Sequence, residues 1–289
     1  MITEEQKQLR KKYIGASDSA ALFGLSPWDN AGNIYLDKIG QLEEWRGTDA
    51  THKGNRYEAV TIEMVGEKIG RPVEDAKMIV SDDELLCANL DGYFTDELGT
   101  ITSVVEAKYS SMAEEWGEEG TDQIPPQYTI QVHHQMYVAG PRCRFAYVGV
   151  TLIEFSRLNF RLYLVERDDD LAETVAAAGR KFMTDHVIPR IPPEDFLPTA
   201  DALKRVRRVP NKTVSVPFEL IDNLIVAKAA LKKAQEDCEL AERHVKTVMG
   251  DAEGATDSMG RGLTYYEQNR RSFVMPESKF RVLKLIKKG

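Results

Sequence analysis

Between residues 76 and 166 the chain alternates runs of Val, Ile, Tyr and Phe with short polar breaks. This pattern predicts five strands, at 76–81, 85–95, 100–110, 145–153 and 158–166. Helical periodicity surrounds them. A short helix is expected over 3–12, ending in Arg10-Lys11-Lys12, and another over 33–39. A longer one over 53–69 carries Val60, Met64 and Ile69 toward its buried side. After Pro125-Pro126 a helix is expected over 127–139, and a further one over 170–184. Strands flanked by helices in this order predict an α/β core with a mixed central β-sheet.

Beyond Pro189 the pattern changes. Pro192, Pro193, Pro198 and Pro210 punctuate a connector that contains Lys204-Arg205-Val206-Arg207-Arg208, and a long helix is then expected over 219–249. Leu224, Leu231, Cys238 and Val245 recur on it at heptad spacing. Ala227, Ala234, Ala241 and Val248 follow each of them by three residues, which makes a coiled-coil-like seam of small residues. Gly250, Gly254, Gly260 and Gly262 break the helix, a small hairpin is expected from 263–268 and 271–275, and the chain ends in a basic tail. The division expected is a domain over 1–190 and a C-terminal extension over 191–289.

Composition adds limits. The chain has 289 residues, 42% of them hydrophobic, enough for a sizeable core. No apolar run reaches the length of a membrane span, so no membrane association is expected. Cys87, Cys143 and Cys238 are widely spaced and offer neither a disulfide framework nor a zinc knuckle, which fits reduced packing residues in a cytoplasmic protein. A net charge of -8 argues against sequence-blind coating of nucleic acid, but it leaves room for a narrow basic channel or for acids gathered round a metal.

The chemistry concentrates in one stretch. The β-branched run 101–105 ends in Glu106-Ala107-Lys108. Side chains alternate along a strand, so Glu106 and Lys108 share a face while Val105 and Ala107 turn to the core. Upstream stands Asp91, in an Asp91-Gly92 pair that reads as a turn. Two carboxylates can hold a hard divalent cation such as Mg2+ through oxygen, and a lysine beside them can stabilise charge on a phosphoryl oxygen or orient an attacking water. The same residues also fit an ordinary hairpin followed by a common Glu-x-Lys pair. Glu58 reads either as a third acid or as a carboxylate favouring a helix dipole. Ser17 or Asp18 can cap a short helix that stops at Gly24, and its N-terminus with Arg10 nearby would suit a phosphate. Tyr128, Gln131 and Gln135 share one polar face of the 127–139 helix. His133 and His134 are neighbours that cannot easily ligate one ion, and they read as surface or packing residues.

Taken in order, Ile14-Gly15-Ala16-Ser17-Asp18, Gly54-Asn55-Arg56-Tyr57-Glu58, Leu90-Asp91-Gly92, Val105-Glu106-Ala107-Lys108 and Tyr128-Thr129-Ile130-Gln131-Val132 resemble the motif series of the YqaJ-type viral recombinases. That family includes lambda exonuclease and belongs to the PD-(D/E)xK nucleases. The resemblance implies a restriction-endonuclease-like PD-(D/E)xK core and degradation of linear double-stranded DNA from the 5′ end. It implies Mg2+, with Mn2+ as the substitute, as a pair of ions, and a 3′ single strand left for phage-type recombination by single-strand annealing. By the same resemblance Asp91 and Glu106 are the metal-binding acids, joined by Glu58 and the Ala107 carbonyl, and Lys108 is the catalytic lysine. Gln131 closes the motif series and Tyr128 precedes it, while Arg10 and Ser17 correspond to a pocket for the terminal 5′-phosphate. A homo-oligomeric ring, a single-strand annealing protein as partner and a phage or prophage origin in a bacterial host are implied with them.

The family usually has proline before the aspartate, where Leu90 stands here, which alters the turn without removing a ligand. Two rival readings are a structure-specific or restriction-like endonuclease on the same fold and a non-catalytic module that binds DNA ends or a recombinase.

Overall fold

The strand Ile101–Ser110 has helices packed on both its faces, and the rest of the first unit is arranged around it. The computed structural model describes residues 9–43, 45, 47–154, 157–193 and 197–269. In chain order the elements of the first unit are β1 (Ile14–Gly15), α1 (Ala16–Leu22), α2 (Ala31–Lys38), α3 (Asp49–Ile69), β2 (Lys77–Val80), β3 (Leu86–Leu90), β4 (Gly92–Thr95) and β5 (Ile101–Ser110). There follow α4 (Pro126–Ala139), β6 (Phe145–Glu154), β7 (Arg157–Glu166), α5 (Asp169–Phe182), which runs into a π-helical turn at Met183–Val187, and α6 (Ala200–Lys204).

The fold is α/β and its strands are mixed in direction, as expected. They form two sheets, one of order β1-β3-β2 and one of order β4-β5-β6-β7. β5 pairs parallel with β6 and antiparallel with β4, and β6 pairs antiparallel with β7. A parallel pair needs a crossover, and α4 lies in the one joining β5 to β6. Pro126 opens α4, where its missing N–H costs nothing. The side chains of α4 and of β5–β7 on that face form the main core, with Val104, Val132, Met136, Val148, Val150 and Tyr163 at its centre. On the other face α3 sets Val65 against Phe94, Val105, Tyr147 and Phe160. Gly149 on β6 makes that approach feasible, because a Cβ there would lie 2.5 Å from Val65 Cγ2.

Several expectations change. The single strand over 85–95 is broken at Asp91: β3 pairs in one sheet and β4 in the other. α3 starts earlier than residue 53, at Asp49, because Thr48 caps it by accepting from Thr51 N. Its buried positions are Thr61 and Val65, whereas Val60 is exposed. Thr61 is tolerated inside because its hydroxyl bonds that of Thr151 at 2.7 Å. α1 begins at Ala16 with Gly15 as its N-cap, so neither Ser17 nor Asp18 caps it; Asp18 sits at the third position and accepts from Gly15 N at 2.9 Å. Of the helix expected over 3–12, residues 3–8 lie outside the described residues.

The first compact unit extends to Arg207, and the second begins at Arg208. The connector past 197 lies along α2: Asn33 Oδ1 accepts from Thr199 N at 2.8 Å, Asn30 Nδ2 donates to Leu197 O, and Leu42 bridges Val206. In the second unit a single helix, α7 (Phe218–Met249), is followed by a hairpin of β8 (Gly254–Thr256) and β9 (Gly262–Thr264). The stretch beginning at Leu263 pairs backward with β8, with Gly260 (φ +79) in the turn; the expected partner strand over 271–275 and the basic tail lie outside the described residues. Among the described residues no helix is long and apolar enough to cross a membrane.

Candidate active site

Asp91 stands where the two sheets part. Leu90 pairs with Lys77 in the first sheet and Gly92 with Val105 in the second. The β4–β5 ladder ends at Gly92, which would leave the next inward N–H of β5 without a strand partner. Asp91 Oδ2 takes that role and accepts from Ala107 N at 2.9 Å. Gly92 is needed for a nonlocal reason, and the pair is not a hairpin turn. A Cβ on it would meet Val73 Cγ1 at 2.3 Å and the Glu74 carbonyl at 3.2 Å, where Glu74 bridges Tyr93. Leu90 is buried in the main core and belongs to the ladder, so this position works without the proline usual in the family.

Glu106 and Lys108 share a face of β5, as alternation requires, and that face is covered by α4. Glu106 is 3% exposed. Its Oε1 accepts from Lys108 Nζ at 2.5 Å and from Gln131 Nε2 at 2.7 Å, and its Oε2 accepts from Gln135 Nε2 at 2.5 Å. Bonds to an ionised acceptor are the strong kind, and three of them leave this carboxylate one orientation. Gln135 was not singled out as a site residue. Its spacing four residues after Gln131 placed it on the same polar face, but only the packing of α4 on β5 shows that it reaches Glu106. Its own Oε1 is buried without a hydrogen-bond partner. The Lys108 ammonium also lies 4.8 Å from the Tyr128 ring centroid, and Tyr128 is stacked on Trp116.

The electrostatics are crowded. Burial, and next the like charge of Glu106, push Asp91 well above the usual carboxylate range; Lys108 and the Ala107 N–H offset this in part, and Glu58 adds to it. Burial pulls Lys108 down, but Glu106 and Asp91 outweigh it, so the lysine is raised and stays an ammonium. Glu58, on α3, and Asp91 line one cleft of about 710 Å³. Among the described residues no three His, Cys, Asp or Glu side chains converge closely enough to hold one ion. Asp91, Glu106 and Glu58 nevertheless fit a hard cation in kind: all are oxygen donors, and burial beside Glu106 makes the charge on Asp91 costly unless a cation offsets it.

Arg10 and Ser17 form a second group. Arg10 Nη2 donates to Ser17 Oγ and, at 2.8 Å, to Asp18 Oδ1. Lys38, which nothing local in the sequence marks, donates to Asp18 Oδ2 at 2.6 Å and to the Arg10 carbonyl. Burial alone would raise Asp18, yet Lys38 and Arg10 hold it far below its usual range. Both cations thus converge on Asp18, next to the exposed Ser17, and Asp37 also acts on Arg10.

The two groups are joined by a residue read only as surface or packing. His134 is wholly buried: its Nε2 lies 3.1 Å from the Cys87 carbonyl and its Nδ1 2.7 Å from Ser19 Oγ. A carbonyl only accepts, so Nε2 carries the proton and Nδ1 accepts from Ser19. Burial brings the imidazole down to about 4 and keeps it neutral. His133 is also internal, with Nδ1 on the Thr129 carbonyl and Nε2 accepting from Asp168 N. Neither is a ligand in this geometry.

Residues 5–142 match the family model described as YqaJ-like viral recombinase domain. The uncharacterized protein YqaJ of Bacillus subtilis (strain 168) is 28% identical over 254 residues, which is 84% of this chain and 77% of that protein. Among solved structures, an alkaline exonuclease from Laribacter hongkongensis superposes with a TM-score of 0.50 at 18% identity, over 65% of this chain and 94% of its own. That likeness shows a shared fold. Over residues 5–142 the chain is thus similar to the YqaJ-like viral recombinase domain.

Proposed function

We propose that the chain is a divalent-metal-dependent exonuclease that degrades linear double-stranded DNA from its 5′ ends and leaves 3′ single strands for recombination by annealing. One observation carries the reading: Glu106 is fixed by Lys108, Gln131 and Gln135 while Asp91, braced on the next residue's N–H, stands beside it. A structural ion pair does not need three donors on one buried carboxylate beside a second, crowded one.

Asp91 and Glu106 would hold the metal with Glu58 and the Ala107 carbonyl. Bound there, Mg2+ ions would lower the pKa of an attacking water and neutralise charge at the leaving 3′-oxygen. Lys108, held as an ammonium, donates to a phosphoryl oxygen and does not act as the base. Tyr128 limits where that ammonium can swing, and Gln131 with Gln135 keeps the Glu106 carboxylate from rotating. Arg10 and Ser17 are the donors for a terminal 5′-phosphate, with Lys38 sharing Asp18 so that Arg10 is not wholly committed to it. The resemblance to the YqaJ-type recombinases further supports a homo-oligomeric ring around the duplex and a single-strand annealing protein as partner.

The test is digestion of linear 5′-phosphorylated duplex, linear 5′-hydroxyl duplex and covalently closed circle, each with Mg2+ or with EDTA. Mononucleotide release from linear ends, faster with the 5′-phosphate and abolished by EDTA, is expected. Cutting of the circle would make the protein an endonuclease, and binding without cutting in any lane would make it a DNA-end module. Lys108→Ala should abolish cleavage and spare DNA binding.

A further inference from the structure

A helix of 32 residues spans about 48 Å, and α7 buries almost none of itself: from Phe218 to Val248 every residue but the half-buried Leu224 is exposed. Leu220 and Leu231 are each 60% exposed and Val248 88%. An isolated helix draws most of its stability from tertiary packing, so a seam this regular calls for a partner.

We propose that α7 pairs with the same helix of a second copy of the chain as an antiparallel coiled coil. The heptad places Leu224, Leu231, Cys238 and Val245 at one core position and Ala227, Ala234, Ala241 and Val248 at the other. In a parallel pair like meets like, so layers of two leucines would alternate with layers of two alanines and the helices could not keep one separation. Antiparallel pairing sets each position against the other kind. Leu231 then meets the partner's Ala241, Cys238 the partner's Ala234 and Val245 the partner's Ala227, one large and one small residue per layer, with Leu224 on Val248 at the ends.

Charge selects the same orientation and register. Lys228 and Glu242 flank the seam, and in this register each faces the other across the interface, twice by symmetry. Asp237 faces its own copy once at the centre, where Lys233 of the same helix already holds it at 2.7 Å. Parallel pairing instead sets Asp237 against Glu242 twice. Sliding the antiparallel register by one heptad loses both Lys228–Glu242 contacts. Such a pair is two-fold and self-complementary, so it joins chains two at a time and does not by itself build a ring. The inference does not depend on the nuclease reading.

The test uses the full chain with Cys238→Ala and two added cysteines, Leu231→Cys and Ala241→Cys. Ten residues apart on one helix, these lie about 15 Å from each other and cannot bridge within a chain. Cys87 and Cys143 are buried, so mild oxidation should give a covalent dimer from the chain with both added cysteines and none from a chain with either one alone. In the chain without added cysteines, Lys228→Glu and Glu242→Lys should each weaken self-association about tenfold, as two exposed attractions become repulsions, and the two together should restore it. Dimers from the Leu231→Cys chain alone, or through the native Cys238, would establish parallel pairing and overturn the proposal. So would tighter association on Glu242→Lys, since that change relieves only the parallel arrangement. A double-cysteine chain that never crosslinks would equally overturn it.

Discussion

Replacing Gln135 by methionine keeps the side chain's length and near-volume and removes both polar ends. Two terms then oppose each other in the folded state. The lost bond from Nε2 to the Glu106 carboxylate, 2.5 Å long and wholly buried, is charge-assisted and worth about 1.5–3 kcal/mol. The Oε1 of the same amide is buried without a partner, and deleting such a group returns about 1–3 kcal/mol. Stability should therefore change by less than about 2 kcal/mol and, at the middle of both ranges, by well under that, a partial cancellation that follows from the geometry at this one residue. Activity has no such compensation. With Oε2 released, Glu106 keeps only the two donors on Oε1 and can turn about them, and the loss of one orienting bond at this strength corresponds to about 10–100-fold in kcat. The assay pairs exonuclease turnover with the urea midpoint, and Gln135→Glu serves as a second variant that keeps the shape but puts like charge on Glu106. Turnover of Gln135→Met within twofold of the parent would refute the positioning role. A fall in stability as large as the fall in activity would show that Gln135 is a packing residue whose loss merely loosens the core.

The remaining expectations concern stability and can be checked with the same preparations. His134 is depressed to about 4 from the ordinary 6.5 by burial, so the unfolded chain binds its proton first. The stability it contributes is whole above about pH 6.5 and falls as the pH drops toward 4, by about 3 kcal/mol. Urea midpoints between pH 7.5 and 4.5 should show this loss in the parent and not in His134→Gln, and a His134 ring that titrates near 6.5 by NMR would contradict it. Gly149→Ala drives a methyl to 2.5 Å from Val65 Cγ2, between β6 and α3, and should cost about 1–3 kcal/mol by thermal melt. Gly92→Ala must displace Val73 or the Glu74 backbone beside Asp91, so it should lower activity as well as the melting temperature; an unchanged turnover would mean that Asp91 does not depend on this crossing.

Strands and helices were legible where one periodicity ruled. The β-branched run to Val105 became β5, and the polar face of the 127–139 helix came to rest on Glu106. What could not be read was set by contacts distant in sequence. The fork at Asp91 showed locally only as an Asp91-Gly92 turn signal; that the strands on its two sides join different sheets, and that Gly92 serves Val73 and Glu74, depends on distant contacts. α3 hid its face for a similar reason: a buried Thr61 paired with Thr151 breaks the apolar stripe, and the exposed Val60 stands next to it. Lys38 sits in the last turn of α2, where a lysine is ordinary, and only the tertiary fold brings it to Asp18. Gln135 had its polar face on record, but no one-dimensional spacing tells which glutamine of a helix meets an acid on a strand.

The charge layout resolves the difficulty that a chain of net charge -8 poses for a DNA-binding reading. Phosphates respond to local fields, because exposed charges more than about 8–10 Å away are largely screened at physiological salt. At one place Arg10 and Lys38 share Asp18; at another Asp91 and Glu106 crowd round Lys108. On the proposed reading the first would receive a terminal phosphate, and the second would accept one only once a cation relieves its carboxylates. The spacing between the two is held by structure and not by solvent. Ser19 on α1 bonds His134 on α4, and His134 bonds the Cys87 carbonyl on β3, the strand that ends immediately before Asp91. A neutral, fully satisfied imidazole suits that post, since a charged one would add a third cation beside Arg10 and Lys38 and would have to be desolvated. The depressed His134, the low Asp18 and the raised Asp91 thus belong to one connected network, which on the proposed reading would space an end-holding group from an acidic centre.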